Sequence, residues 1–199
     1  FANTMVIVKL GGSLFQTAEL KLWLTSLKVL SQQQDIIIVP GGGPFAEQVR
    51  IAQKKYGFND ICAHHMALLA MSQFGILLSG ILPSCYPFYF PTDDATIINP
   101  LSIWLPDKQL LEEPDLIQNW DITSDSLALW LAQKYNAKKL TLIKCNPPEN
   151  ITSVDKLNKM GIIDNAFSAI ASSCLIPVEI IASNQYNQFT LDLPIKPIH

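Results

Sequence analysis

The chain carries little charge, no paired cysteines and neither of the common glycine fingerprints for nucleotides. Only 16% of its 199 residues are Asp, Glu, Lys or Arg, and the formal balance is −3. That balance excludes broad nucleic-acid binding by electrostatics, which needs a basic face. Cys62, Cys85, Cys145 and Cys174 are scattered, with no Cys-x-x-Cys pair. They read as buried or free thiols of a reducing, cytoplasmic compartment. Cys62 beside His64 is not a zinc-ligand spacing, and no metal site of the protein's own is expected. No basic stretch followed by an apolar run opens the chain, so no secretory leader is expected. Internal repeats are missing. So are G-x-x-x-x-G-K-[ST] and G-x-G-x-x-G. With 49% hydrophobic residues, the chain is not short of core, and one domain over residues 1–199 is expected.

Glycine is also sparse, nine in all, yet five of the nine stand in two runs. Val6-Ile7-Val8-Lys9-Leu10 leads into Gly11-Gly12-Ser13. Ile36-Ile37-Ile38-Val39-Pro40 leads into Gly41-Gly42-Gly43-Pro44. Both read as a buried strand, a loop and then a helix. A glycine loop at a strand end lets backbone N–H groups approach an anion, and the helix start adds a favourable dipole. Either run alone is equally a tight turn. Two together suggest two phosphate groups held face to face, with Lys9 placed to bridge them.

The rest of the chain keeps an α/β rhythm. Strands are expected over Met5 to Leu10, Ile36 to Val39, Leu140 to Cys145 and Val178 to Ala182. Helices are expected over Ala18 to Gln33, Pro44 to Tyr56, Ser124 to Tyr135, Asp155 to Met160 and Asp164 to Ser172. Gly57 would stop the second helix, and Asn136 would supply a left-handed end to the helix from Ser124. Ile61 to Leu82 contains no Asp, Glu, Lys or Arg and is long enough to span a bilayer. His64, His65, Ser72 and Gln73 are costly in lipid. The segment therefore reads as a central helix buried on nearly all sides, with Asn59 or Asp60 as its cap. Six of the 13 prolines fall between Pro83 and Pro114, where Tyr86 to Phe90, Thr96 to Ile98 and Ser102 to Leu105 read as short strands between turns. The pattern predicts a mainly parallel sheet with helices on both faces.

Trp120-Asp121-Ile122-Thr123-Ser124-Asp125-Ser126 opens a late helix. Two readings of Asp125 stand side by side. It complements the helix dipole beside a Thr123 or Ser124 cap, or it orients Lys9 and guarantees its charge. His64 is either a hydrogen-bonded core residue or a ligand contact. Asp93-Asp94 is either a magnesium contact or a turn.

Lys9 to Ser13, Gly41 to Pro44 and Thr123-Ser124-Asp125, taken in order, resemble the amino acid kinase superfamily. Acetylglutamate, aspartate, uridylate and isopentenyl phosphate kinases belong to it. The resemblance implies an α/β/α sandwich of three layers, carbamate kinase-like, that passes the γ-phosphoryl group of ATP, with Mg2+, to a carboxylate or phosphate. Gly41 to Arg50, Ala63-His64-His65-Met66-Ala67, Ala70 to Gln73 and Trp120 to Ser126 resemble one branch, the aminomethylfuran phosphate kinases of methanofuran biosynthesis. The resemblance assigns catalysis to Lys9 and Asp125. It gives the nucleotide to Gly11, Gly12, Ser13, Thr123, Ser124 and Lys144. The phosphorylated small-molecule acceptor falls to Gly41, Gly42, Gly43, His64 and Asp121. It also implies a homo-oligomer, with neither nucleic acid nor membrane as partner. Two departures stand out. Many relatives carry an acidic Asp-x-x-Gly loop where this chain reads Lys144-Cys145-Asn146-Pro147-Pro148-Glu149-Asn150. Several also keep a second catalytic lysine after a Gly-Met pair, a pattern that neither Lys156 nor Lys159 matches.

Overall fold

The computed structural model describes residues 5–91, 99–148, 153–192 and 198. Its strands are β1 (Val6–Leu10), β2 (Ile36–Pro40), β3 (Tyr86–Phe88), β4 (Leu101–Trp104), β5 (Lys139–Lys144) and β6 (Val178–Ala182). They form one sheet in the order β3-β4-β2-β1-β5-β6, and every neighbouring pair is parallel. Strands buried on both faces read as unbroken apolar runs, which is why β1 and β2 are so legible.

The helices are α1 (Glu19–Leu30), α2 (Gly43–Tyr56), α3 (Asp60–Ile81), α4 (Ser124–Lys134), α5 (Val154–Lys159) and α6 (Phe167–Ser172). Alternation along the strands divides the core in two. Val6, Val8 and Leu10 join Ile36, Ile38 and the α1 residues Leu20, Trp23, Leu24 and Leu27 on one face. Ile7, Ile37, Val39, Leu140 and Leu142 join α4 on the other, with Leu157 of α5 and Phe167 of α6. Each fully buried side chain of this size contributes about 2 kcal/mol. The expected layered α/β/α architecture is what forms, and the sheet is wholly parallel.

Local punctuation follows the sequence. Gly57 ends α2 at φ +70°, Asn136 adopts φ +47° after α4, and Asn59 caps α3 by accepting from the Cys62 N–H at 2.9 Å. Three expectations need correction. The helix expected from Ala18 to Gln33 stops at Leu30, because Ser31 to Gln33 turn back onto the last carbonyls of α1. Asp164 to Asn165 are not helical, since Asp164 is engaged with Thr123 and Ser126 and Asn165 with Asp121, and α6 begins at Phe167. Finally, α3 is not buried on nearly all sides. Leu68, Phe74 and Leu78 face the cores and Ala63 is buried, while Ile61, Met66, Leu69 and Ile76 are exposed. By length and composition α3 would cross a membrane, but half of its most apolar window is packed inside the fold. The strand expected over Thr96 to Ile98, and Asp93-Asp94, lie outside the described residues.

The C-terminal segment is held at the back of the sheet. The Lys139 ammonium donates to the Thr190 carbonyl at 2.8 Å and pairs with Glu179 at 2.5 Å, and Lys138 donates to the Leu191 carbonyl at 3.0 Å.

Candidate active site

The same alternation that sorts the core aims two lysines at one carboxylate. Lys9 follows Ile7 by two residues on β1, and Lys144 follows Leu142 by two on β5, so both face α4 at the C-terminal ends of their strands. Asp125 lies in the first turn of α4 and meets both. Lys9 Nζ stands 2.8 Å from Asp125 Oδ1, and Lys144 Nζ stands 2.7 Å from Oδ2. Lys9 and Asp125 are each only 4% exposed. The two readings of Asp125 are therefore not exclusive, since a first-turn acid also grips the lysine of β1.

The electrostatics leave a surplus. Burial would raise the Asp125 carboxyl, but Lys9 and then Lys144 outweigh it and hold the group below the usual carboxylate range. Burial, and after it the repulsion of Lys9, pull the Lys144 ammonium down to about 8. Two cations share one carboxylate, so the protonated group carries excess positive charge in a nearly closed place. A buried charge of that kind calls for a counter-charge, which an anionic ligand such as a phosphate would supply.

Above this cluster the two glycine loops touch backbone to backbone. A Cβ on Gly12 would lie 2.4 Å from the Gly43 nitrogen, and one on Gly41 would lie 2.4 Å from the Gly12 nitrogen. Real side chains do not fit there, and Gly43 also needs φ +53°. Gly11 sits between Lys9 and Ser13, with its ideal Cβ position 3.5 Å from both Lys9 Nζ and Ser13 Oγ. A 3-10 turn over Gly12–Gln16 follows the first loop, and α2 follows the second. Beside them opens a cavity of about 490 Å³, to which α2, α3 and the segment before α4 contribute.

Most of the expected site residues converge here. Gly12, Ser13, Gly42, Gly43, His64, Thr123 and Ser124 line the cavity, with Lys9, Gly11 and Lys144 beside them. His64 is buried. Burial lowers its pKa, a hydrogen bond to the Asn119 backbone restores part, and His65 opposes that restoration. Gly41 serves as packing between the loops. Asp121 does not line the cavity. Its carboxylate accepts from Asn165 Nδ2 at 2.8 Å and Asn119 Nδ2 at 3.3 Å. Lys156 and Lys159 are exposed on α5.

The reading from sequence missed Asp164. Its carboxylate accepts from the Thr123 N–H at 2.9 Å, the Thr123 hydroxyl at 2.7 Å, the Ser126 N–H at 3.1 Å, and the Ser126 hydroxyl. Thr123 occupies the N-cap position of α4 without a capping bond from its own side chain. The cap comes from a residue some forty positions later, for which no local signal exists. A carboxylate at a helix N-terminus also answers the dipole. Asp164→Ala is expected to cost about 2 kcal/mol and to lower Tm by roughly 4–8 °C, read by thermal denaturation. Two further cavity residues carried no role from sequence. The Arg50 guanidinium lies 3.8 Å from the centre of the Trp120 ring, and the Trp120 N–H donates to Gln53 Oε1 at 2.6 Å.

A family model described as the amino acid kinase family matches residues 4–93. A curated protein of Methanocaldococcus jannaschii, [5-(aminomethyl)furan-3-yl]methyl phosphate kinase, is 30% identical over 174 residues, covering 76% of this chain and 80% of that protein. Among solved structures, uridylate kinase from Archaeoglobus fulgidus superposes with a TM-score of 0.68 at 17% identity, over 89% of this chain and 90% of that one. UMP kinase from Bacillus anthracis gives 0.64 at 15% identity, over 91% and 88%. At such identities the two structures speak for the fold.

Proposed function

The chain belongs to the amino acid kinase family, and we propose that it transfers the γ-phosphoryl group of ATP to (5-(aminomethyl)furan-3-yl)methyl phosphate, forming the diphosphate for methanofuran-type one-carbon cofactor biosynthesis. That it is a small-molecule kinase follows from the family. The acceptor rests on the 30%-identical relative, which bears that name. The observation that carries the reading is the Lys9–Asp125–Lys144 cluster beneath two abutting glycine loops at the mouth of a cavity.

In this reading the chain works by position and charge, with no covalent intermediate. Gly11, Gly12 and Ser13 would present backbone and hydroxyl donors to the phosphates of the nucleotide, and Thr123 and Ser124 would approach from α4. Gly41, Gly42 and Gly43 would hold the acceptor phosphate, with the α2 dipole behind them. Lys9 would stand between donor and acceptor and neutralise charge on the moving group, while Asp125 keeps its ammonium aimed. Lys144 would bind the same phosphates from β5. Mg2+ would arrive with the nucleotide. Among the described residues no cluster of three His, Cys, Asp or Glu could hold a metal, and magnesium in such sites leans on phosphate oxygens and water. His64 would meet the acceptor from α3.

Lys144 gives the reaction a pH signature. Its ammonium titrates near 8 in the free protein, so above that pH it loses the charge that attracts phosphate. The kcat/KM for ATP is expected to fall as pH rises through about 8. Lys144→Arg, which stays charged, is expected to shift that limb to higher pH. A second copy of the chain is proposed to cover the exposed apolar face of α3, so light scattering is expected to give at least twice the monomer mass.

The primary experiment measures ADP formation from MgATP and the aminomethylfuran monophosphate. ADP that requires the furan supports the kinase and its acceptor together. A second reading, a ligand-binding relative without turnover, is favoured by Pro147 and Pro148, which stand after β5 where many relatives carry a glycine. ATP binding with no ADP from any phosphorylated acceptor would be its outcome.

A further inference from the structure

The cavity's lining combines three kinds of surface. The glycine loops and the start of α4 supply polar groups, near Lys9 and Lys144. Leu68 and Met71 from α3 and Leu127 from α4 are apolar. Glu47 and Arg50 come from α2, one to two turns past Gly43. Arg50 is stacked on Trp120. Glu47 is the single acidic side chain among the lining residues, and among the described residues it enters no ion pair. His64 is buried and lines the same cavity. A neutral imidazole offers one of its nitrogens as an acceptor.

The geometry points to Glu47, assisted by His64, as the subsite for a cationic group on the acceptor, so that the cavity selects small molecules with a phosphate at one end and an ammonium at the other. This inference rests on the acceptor reading above and extends it to a residue with no assigned role. Lys9 and Lys144 attract the phosphate of such a molecule and repel its ammonium, while Glu47 attracts the ammonium; Arg50, three residues on and stacked on Trp120, opposes that attraction in part. Glu47 lies four residues beyond Gly43, about 6 Å of helix rise. One five-membered ring with single-carbon arms spans that length, and Leu68, Met71 and Leu127 offer the ring apolar surface. Glu47 is exposed, so water weakens the attraction, and its expected contribution is specificity of about tenfold.

The test compares kcat/KM for the aminomethyl acceptor with that for its hydroxymethyl counterpart, in wild type and in Glu47→Gln. Wild type is expected to prefer the ammonium compound. In Glu47→Gln the preference is expected to shrink about tenfold, with circular dichroism confirming the fold. A wild type indifferent to the ammonium, or a variant that keeps the wild-type preference, overturns the subsite and leaves the acceptor reading intact. A wild type that phosphorylates neither furan overturns the acceptor reading, and the subsite falls with it.

Discussion

Lys9→Met is expected to lower kcat by about a hundred- to a thousandfold, the range seen when one preorganised contact to developing charge is removed. KM for ATP should change far less, because in the proposed site Gly11, Gly12, Ser13 and Lys144 would still bind its phosphates. Methionine keeps the unbranched stem that packs on β1 and deletes the ammonium. Asp125 retains Lys144 at 2.7 Å, so the substitution does not strand a carboxylate without a partner. The fold should therefore persist, and a melting curve recorded beside the kinetics checks this. Full turnover by a folded Lys9→Met protein would remove Lys9 from the chemistry. A rise in KM with kcat intact would reduce it to a ground-state phosphate contact.

Asp125→Asn should be the most destabilising single change in the site. It leaves two ammonium groups facing each other in a buried place. Removing one partner of a buried charge cluster costs about 3–5 kcal/mol, and in a chain of this size that corresponds to a Tm drop of roughly 10 °C. Lys144 limits the damage. Its ammonium already titrates near 8 with the carboxylate present, and without it the group sheds its proton more readily, at the expense of phosphate binding. The loss should depend on pH. The Asp125 carboxyl is held below its ordinary range in the fold, so its contribution is complete at neutral pH. That contribution fades as pH falls through the folded pKa. The stability gap between wild type and Asp125→Asn should narrow in acid. A gap that stays constant from neutral pH into acid would place the carboxylate's stabilising role elsewhere.

How much of this was legible beforehand depends on the range of each interaction. β1 and β2 announce themselves because strands buried on both faces need uninterrupted apolar runs. The glycine pairs announce themselves because backbone contact leaves no room for a Cβ. Lys9 and Asp125 came together from the family pattern, and the period-two alternation of β1 and β5 explains their meeting. Asp164 could not be read, since the four groups it accepts from belong to Thr123 and Ser126 at the start of α4, and nothing near residue 164 refers to them. Asp121 shares a short motif with true lining residues, and only the fold reveals that it turns toward Asn165. The open face of α3 was hidden for another reason. A helix that is apolar all round looks the same in sequence whether its outer half meets the core or not.

The central place of β1 has a consequence for redesign. β2, with α2 and α3, lies to one side of it, and β5 and β6 lie to the other. The walls of the cavity are drawn largely from α2 and α3, while the charged cluster is built from β1, β5 and α4. A mutagenesis library confined to the cavity-facing positions of α2 and α3 would vary the shape offered to a guest molecule and leave the ion cluster as it stands. New acceptors should thus be reachable through one half of the molecule, with the other inherited unchanged.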